Sequence, residues 1–197
     1  MELIFLLDTS NSMRGERIIQ LNNTMLETLC SISESEKCDS TNVRVISFNN
    51  IAKYFIGSIE NSIDARTAYN MWQNLAHKGA TDTAHALRLC NKAIESDLKR
   101  GKTDKTIVIL VTDGESSDHG DFINAICEAR ELIDKIENKS IVFVAIGVKD
   151  YSETELYQFA DLGNTAKLGK SDMSSLVYKI DEMSDLSEII MQIINHN

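Results

Sequence analysis

The sequence predicts an α/β fold: a doubly wound, mostly parallel sheet of six strands with one antiparallel edge strand and helices on both faces. Three observations predict it. Apolar runs of strand length alternate with segments of helical periodicity along the chain, the pattern of parallel strands joined by crossover helices. Runs such as LIFLL and TIVILVT are apolar at nearly every position, which marks strands covered on both faces rather than one. Asn49-Asn50 lies between two strand-like runs and reads as a hairpin turn, which supplies the antiparallel edge.

The expected strands are Glu2–Asp8, Val43–Asn49, Ile51–Gly57, Thr106–Asp113, Ser140–Gly147 and Leu176–Asp181. Apolar residues spaced i, i+3, i+4 mark the helices. The first places Ile18, Leu21, Met25, Leu29 and Ile32 on one stripe, and a short helix is expected between about Ser62 and Trp72. The next starts near Asp82 and carries Leu87, Cys90 and Ile94. A fourth follows Asp121 as N-cap, with Ile123, Ile126, Ile133 and Ile136. Ser152 and Glu155 have the spacing of a capping box for a fifth. The last carries Leu186, Ile189, Ile190, Ile193 and Ile194. No repeat, linker or low-complexity segment interrupts the pattern, and residues 1–197 are read as one domain.

Composition narrows the function classes. A formal net charge of −10 disfavours nucleic acid, because the chain lacks the cationic excess that releases counterions from phosphates. No apolar run reaches the roughly 20 residues needed to span a bilayer, so no membrane partner is expected. ELIFLL has no basic flank and leads into Asp8, so it reads as a core strand and not as a signal peptide. Cys30, Cys38, Cys90 and Cys127 form no CxxC pair, which argues against a zinc cluster. Cys30, Cys90 and Cys127 fall at apolar helical positions, where reduced Cys acts as a small hydrophobe, and a cytoplasmic location is expected.

Doubly wound sheets bind ligands at the carboxyl ends of their strands, near the switch in strand order. There the first strand ends in Asp8-Thr9-Ser10-Asn11-Ser12, so one carboxylate and two hydroxyls alternate at i, i+2 and i+4. A short turn can point all three into one concavity, which suits a hard cation seeking octahedral oxygen ligands. The fourth strand ends in Thr112-Asp113-Gly114, placing a second carboxylate at the same edge, and Gly114 permits a tight turn after it. Gly79-Ala80-Thr81-Asp82-Thr83 is a third oxygen-rich segment, opening a helix.

The three segments, DTSNSM, then GATDT before a helix, then VTDG after an apolar strand, resemble the metal-ion-dependent adhesion site of von Willebrand factor A domains, in that family's order. The resemblance covers nearly the whole chain. It implies a Rossmann-like sheet and makes Asp8, Ser10, Ser12, Thr81 and Asp113 the metal ligands, with hydroxyls binding directly and one or both aspartates acting through water. MRGERIIQLNN and VISFNN also resemble the small bacterial tellurium-resistance members of TerY type, which implies a stress-response setting. The all-oxygen set fits Mg²⁺ or Mn²⁺, whereas zinc would prefer Cys or His. Neutral hydroxyls leave the cation's charge largely uncancelled, so it can accept a carboxylate from a protein partner's Asp or Glu. Asn11, Met13, Arg14, Asp82, Glu115, Ser116 and His119 are the expected rim.

Plainer readings exist for each residue. Ser10 and Ser12 are good N-cap types, Asp113-Gly114 is a turn dipeptide, and Thr83 fits a helix first turn better than a ligand role. Glu115, Asp118 and Asp121 read more readily as a solvated loop than as a second ion site. His77 and His119 suit exposed loops, His85 a helix face, and His196 a terminus; Tyr69 and Trp72 suit packing. The chief rival function is a Mg²⁺-dependent phosphatase of haloacid-dehalogenase type, which also starts with a strand ending in Asp. It needs a second Asp two positions on, where this chain has Ser10. GxxxxGK[ST] and GxSxG are both absent. The sequence therefore reads as a non-enzymatic, metal-dependent protein-binding module.

Overall fold

The computed structural model describes residues 1–102, 105–136, 140–164, 176–181 and 185–196. Along the chain run β1 (Glu2–Asp8), α1 (Glu16–Glu34), β2 (Asn42–Phe48), β3 (Ala52–Ile56), β4 (Ile63–Asp64), α2 (Ala65–Met71) and α3 (Thr83–Lys99). There follow β5 (Lys105–Thr112), α4 (His119–Asp134), β6 (Ser140–Val148), α5 (Glu153–Ala160), β7 (Val177–Ile180) and α6 (Leu186–His196). The fold is the expected mostly parallel α/β sheet with helices on both faces.

The strand order is β3-β2-β1-β5-β6-β7, with β4 beside β2. β1 pairs parallel with β2 on one side and with β5 on the other, while β3 and β4 run antiparallel to β2. Strand order therefore reverses at β1, and β1 and β5 are neighbours although about a hundred residues separate them. Leu7 lies opposite Val111 in this pairing, so Asp8 and Asp113 emerge side by side at one sheet edge.

Every residue of β1 is buried, as are Thr106–Thr112 of β5. Alternation along these strands feeds two cores. Leu3, Phe5, Leu7, Ile107, Ile109 and Val111 face α1, α2 and α6, where Leu21, Met25, Leu29 and Ile190 lie. Ile4, Leu6, Val108 and Leu110 face α3, α4 and α5, where Leu87, Phe122 and Phe159 lie. A sheet clamped this way makes a rigid edge for a site.

Local departures from the sequence reading have physical causes. β4 is a seventh strand of two residues, too short for any periodicity to show. α4 is capped by Asp118, whose side chain accepts from the Asp121 amide, and not by Asp121; Asp121 instead pairs with Arg88. The capping box at α5 does not form, since Ser152 makes no side-chain cap hydrogen bond and Glu155 turns elsewhere. On α4 the buried residues are Phe122, Ala125, Ile126 and Ala129, a stripe rotated from the expected one. Cys127 is exposed, while Cys38 and Cys90 are buried. Tyr69 and Trp72 pack against the core, Trp72 edge-on to Phe55 at 5.3 Å.

Candidate metal centre

Local chain chemistry brings three segments together at the ends of β1 and β5. After Asp8 the backbone leaves the sheet, and Asn11–Met13 form a single 3-10 turn. The Thr9 hydroxyl donates to the Phe48 carbonyl at 2.8 Å, tying the loop to β2. The Asn11 amide donates to the Gly79 carbonyl and the Lys78 amide to the Thr9 carbonyl, both at 2.8 Å. These bonds draw the 78–83 segment alongside the β1 loop. Gly79 sits at φ 75°, and a Cβ there would collide with Asn50 Oδ1, which accepts from the Ala80 amide. The turn that presents Thr81 therefore requires glycine. Thr81 is held in turn by Ser117: its amide donates to the Ser117 hydroxyl at 3.0 Å, and its carbonyl accepts from the Ser117 amide at 2.8 Å.

All five residues expected as ligands meet here. Asp8 is fully buried; one oxygen accepts from the Ser10 amide at 2.8 Å and the other from the Thr112 hydroxyl at 2.7 Å. The Ser10 and Ser12 hydroxyls are 2.7 Å apart, and the Ser12 hydroxyl donates to Asp113 Oδ1 at 2.7 Å. A Cβ on Gly114 would sit 3.7 Å from Thr81 Oγ1 and 3.8 Å from Ser12 Oγ, so those two hydroxyls border one cradle that glycine leaves open. Thr83 is not among them; it is buried in the first turn of α3.

The electrostatics favour a cation. Burial pushes the Asp8 carboxyl up from 3.8 to about 6, against the lowering effect of the Thr112 and Ser10 hydrogen bonds. No Lys or Arg pairs with it among the described residues. A buried carboxylate held near two hydroxyls and a second carboxylate is a hard, oxygen-only donor set, and it fits a divalent cation.

Sequence reasoning missed Arg17. Its guanidinium donates to Asp113 Oδ2 and, at 3.1 Å, to Asp150 Oδ2. Arg17 lies on α1, four residues before Leu21, and looks like any solvated helix cation; only the fold brings it across 96 residues to Asp113. Glu155 was also missed. It is buried, and its carboxylate accepts from the Ser116 amide at 2.9 Å and meets His119 Nδ1 at 2.9 Å.

Comparison with known proteins places this architecture. The family model for the von Willebrand factor type A domain matches residues 2–192. The chain belongs to that family. Similar solved A-type folds include proximal thread matrix protein 1 from the mussel byssus with a zinc-occupied MIDAS motif, at 21% identity and a TM-score of 0.69. The match covers 98% of this chain and 44% of that one. The pilus adhesin SpaC from Lactobacillus rhamnosus GG gives a TM-score of 0.72 at 14% identity, covering 99% of this chain and 30% of the adhesin. This A-type chain thus spans less than half the length of either. A search of the curated proteins finds no match. No helix among the described residues is long and apolar enough to cross a membrane.

Proposed function

We propose that this A-type domain is a metal-dependent protein-interaction module in which Asp8, Ser10, Ser12, Thr81 and Asp113 hold Mg²⁺ or Mn²⁺. The observation that carries the reading is the convergence of three hydroxyls and two carboxylates from three separate loops on one cradle. A bound divalent cation supplies a Lewis-acidic position that accepts a carboxylate from a partner's Asp or Glu. Ser10, Ser12 and Thr81 contribute hydroxyls without adding charge; Asp8 fixes the Ser10 backbone, Asp113 orients the Ser12 hydroxyl, and Ser117 holds the Thr81 backbone. Of the expected rim, Asn11, Arg14, Glu115 and His119 are exposed and available for specificity. Met13 and Ser116 are buried, and the Asp82 side chain is engaged in capping α3.

The same reading makes the domain a binder and not a catalyst. A phosphatase would need a carboxyl acid two positions beyond Asp8, and the group there is the Ser10 hydroxyl, engaged with Ser12. A zinc-occupied MIDAS in the mussel protein supports metal occupancy in this fold without fixing which ion is used here. The four unpaired cysteines fit a reducing, cytoplasmic setting, and the MRGERIIQLNN and VISFNN segments favour a tellurium-resistance or stress-response role. The test is a pull-down in Mg²⁺, washed with chelator, repeated with Ser12→Ala and Thr81→Ala. Capture should require the metal and both hydroxyls while circular dichroism stays native. Equal capture by Thr81→Ala, or in chelator, overturns the reading, as does metal-dependent phosphomonoester turnover that disappears in Asp8→Asn.

A further inference from the structure

We propose that Glu115, His119 and Glu155 form a second metal site that takes Zn²⁺, distinct from the hydroxyl-lined one. One ligand atom from each, two carboxylate oxygens and an imidazole nitrogen, lies within 4.8 Å of the others. They come from three places in the fold: the loop after β5, the first residue of α4 and the first turn of α5. Imidazole together with carboxylate is a donor set that suits zinc, in contrast to the all-oxygen cradle beside it.

Glu155 carries the argument. Its side chain is 7% exposed, yet among the described residues no Lys or Arg pairs with it. Its partners are the Ser116 amide on Oε2 and His119 Nδ1 on Oε1. A carboxylate taken out of water without a fixed cation is costly. Glu155 occupies the capping-box position of α5, where it could have turned back to its own helix start, and it points to His119 instead. The Ser116 amide fixes one oxygen and turns the other toward His119 Nδ1, so that a metal would enter between that oxygen and the imidazole nitrogen, the arrangement by which an outer partner orients a ligand.

The geometry needs little adjustment. Two zinc bonds of about 2.0–2.1 Å at a tetrahedral angle set donor atoms about 3.3 Å apart, against 2.9 Å between His119 Nδ1 and Glu155 Oε1. The His119 side chain is 52% exposed, so it can rotate to make room. Two carboxylates and a neutral imidazole balance the dication's charge and leave its fourth position to water or a partner group. Glu115 and His119 are exposed, so the ion can enter from solvent.

The test is zinc titration in excess Mg²⁺, read by competition with a chromogenic chelator. The expected result is a single zinc per chain, with affinity falling at least about tenfold in His119→Ala and in Glu115→Gln. Both are surface substitutions, so circular dichroism should stay native. Thr81→Ala should keep its zinc, which separates this site from the cradle and makes the two proposals fail independently. Zinc binding lost in Thr81→Ala but unchanged in His119→Ala would assign the ion to the hydroxyl cradle and overturn the proposal. Absence of zinc binding in Mg²⁺ would overturn it equally.

Discussion

Asp8→Asn should stabilise the metal-free protein while abolishing its response to Mg²⁺. Asp8 is buried, and its carboxyl is pushed up from 3.8 to about 6 chiefly by that burial. At about 1.36 kcal/mol per pH unit, the ionised form is penalised in the fold by about 3 kcal/mol. A folded pKa above the unfolded one means the protonated form stabilises the fold. That contribution is fully present below pH 3.8 and lost as pH rises through about 6. Asparagine keeps the acceptor for the Ser10 amide but takes one from the Thr112 hydroxyl, which must then turn to the Gly114 carbonyl 3.4 Å away. A lost hydrogen bond costs about 1 kcal/mol, so the net gain is about 2 kcal/mol.

The assay is urea unfolding in chelator at about pH 7.5 and about pH 4.5. The variant should exceed the parent by about 2 kcal/mol at the higher pH, and the difference should vanish or reverse at the lower, where the parent's carboxyl is neutral. Adding Mg²⁺ at a hundredfold excess over Kd should stabilise the parent by about 2.7 kcal/mol and leave the variant unmoved. A stability difference identical at both pH values would refute the reasoning, because Asp8 would then be ionised without penalty throughout.

Three further outcomes follow from the geometry. Mg²⁺ or Mn²⁺ at a hundredfold excess over Kd should raise the melting temperature of the parent by about 5–10 °C, reversibly on chelation; Ser12→Ala and Thr81→Ala should melt cooperatively but show no shift in calorimetry. Arg17→Gln, which frees Asp113 Oδ2, should tighten Mg²⁺ binding by up to about tenfold in isothermal titration; weaker binding would mean that Asp113 depends on Arg17 for its position. Arg44→Leu leaves Glu2 buried without its guanidinium and Asp97 with Arg100 alone, so urea unfolding should report a loss of about 3–5 kcal/mol; a loss under about 1 kcal/mol would refute a stabilising role for the buried Arg44 guanidinium.

The legible parts of the molecule are those that the chain encodes locally. Continuous apolar runs at β1 and β5 announce burial on both faces, and their ends put Asp8 and Asp113 at one edge because parallel strands align their carboxyl ends. Ser10 and Ser12 alternate with Asp8 just past the end of β1, and Thr81 stands in an oxygen-rich segment before a helix; the resemblance to the adhesion-site motif joins the three into one ligand set. Glu155 and Arg17 were hidden for the opposite reason. Each has a strong local reading, a capping box for Glu155 and a solvated helix face for Arg17, and each is diverted by a tertiary contact 36 or 96 residues away. Asp118 against Asp121 was a contest between two good N-caps three residues apart; Arg88 decides it by drawing Asp121 into a bidentate pair.

Arg17 resolves a tension in the binding reading. A chain with net charge −10 repels an acidic partner at long range, yet the proposed contact is a partner's carboxylate. Setting aside Asp150, whose carboxylate also meets Arg17 but is 82% exposed and screened by solvent, Asp8 and Asp113 against the Arg17 guanidinium leave the cradle with one negative charge. A dication then makes it singly positive, whereas without Arg17 the loaded site would be neutral. Arg17 thus opposes the metal and favours the partner, and it does both from a position 23% exposed, where solvent screens it only in part. Arg17→Gln should therefore split the two affinities, tightening Mg²⁺ while weakening capture of the acidic partner in saturating Mg²⁺. Tighter Mg²⁺ binding with unchanged capture in saturating Mg²⁺ would show that Arg17 acts on the metal alone.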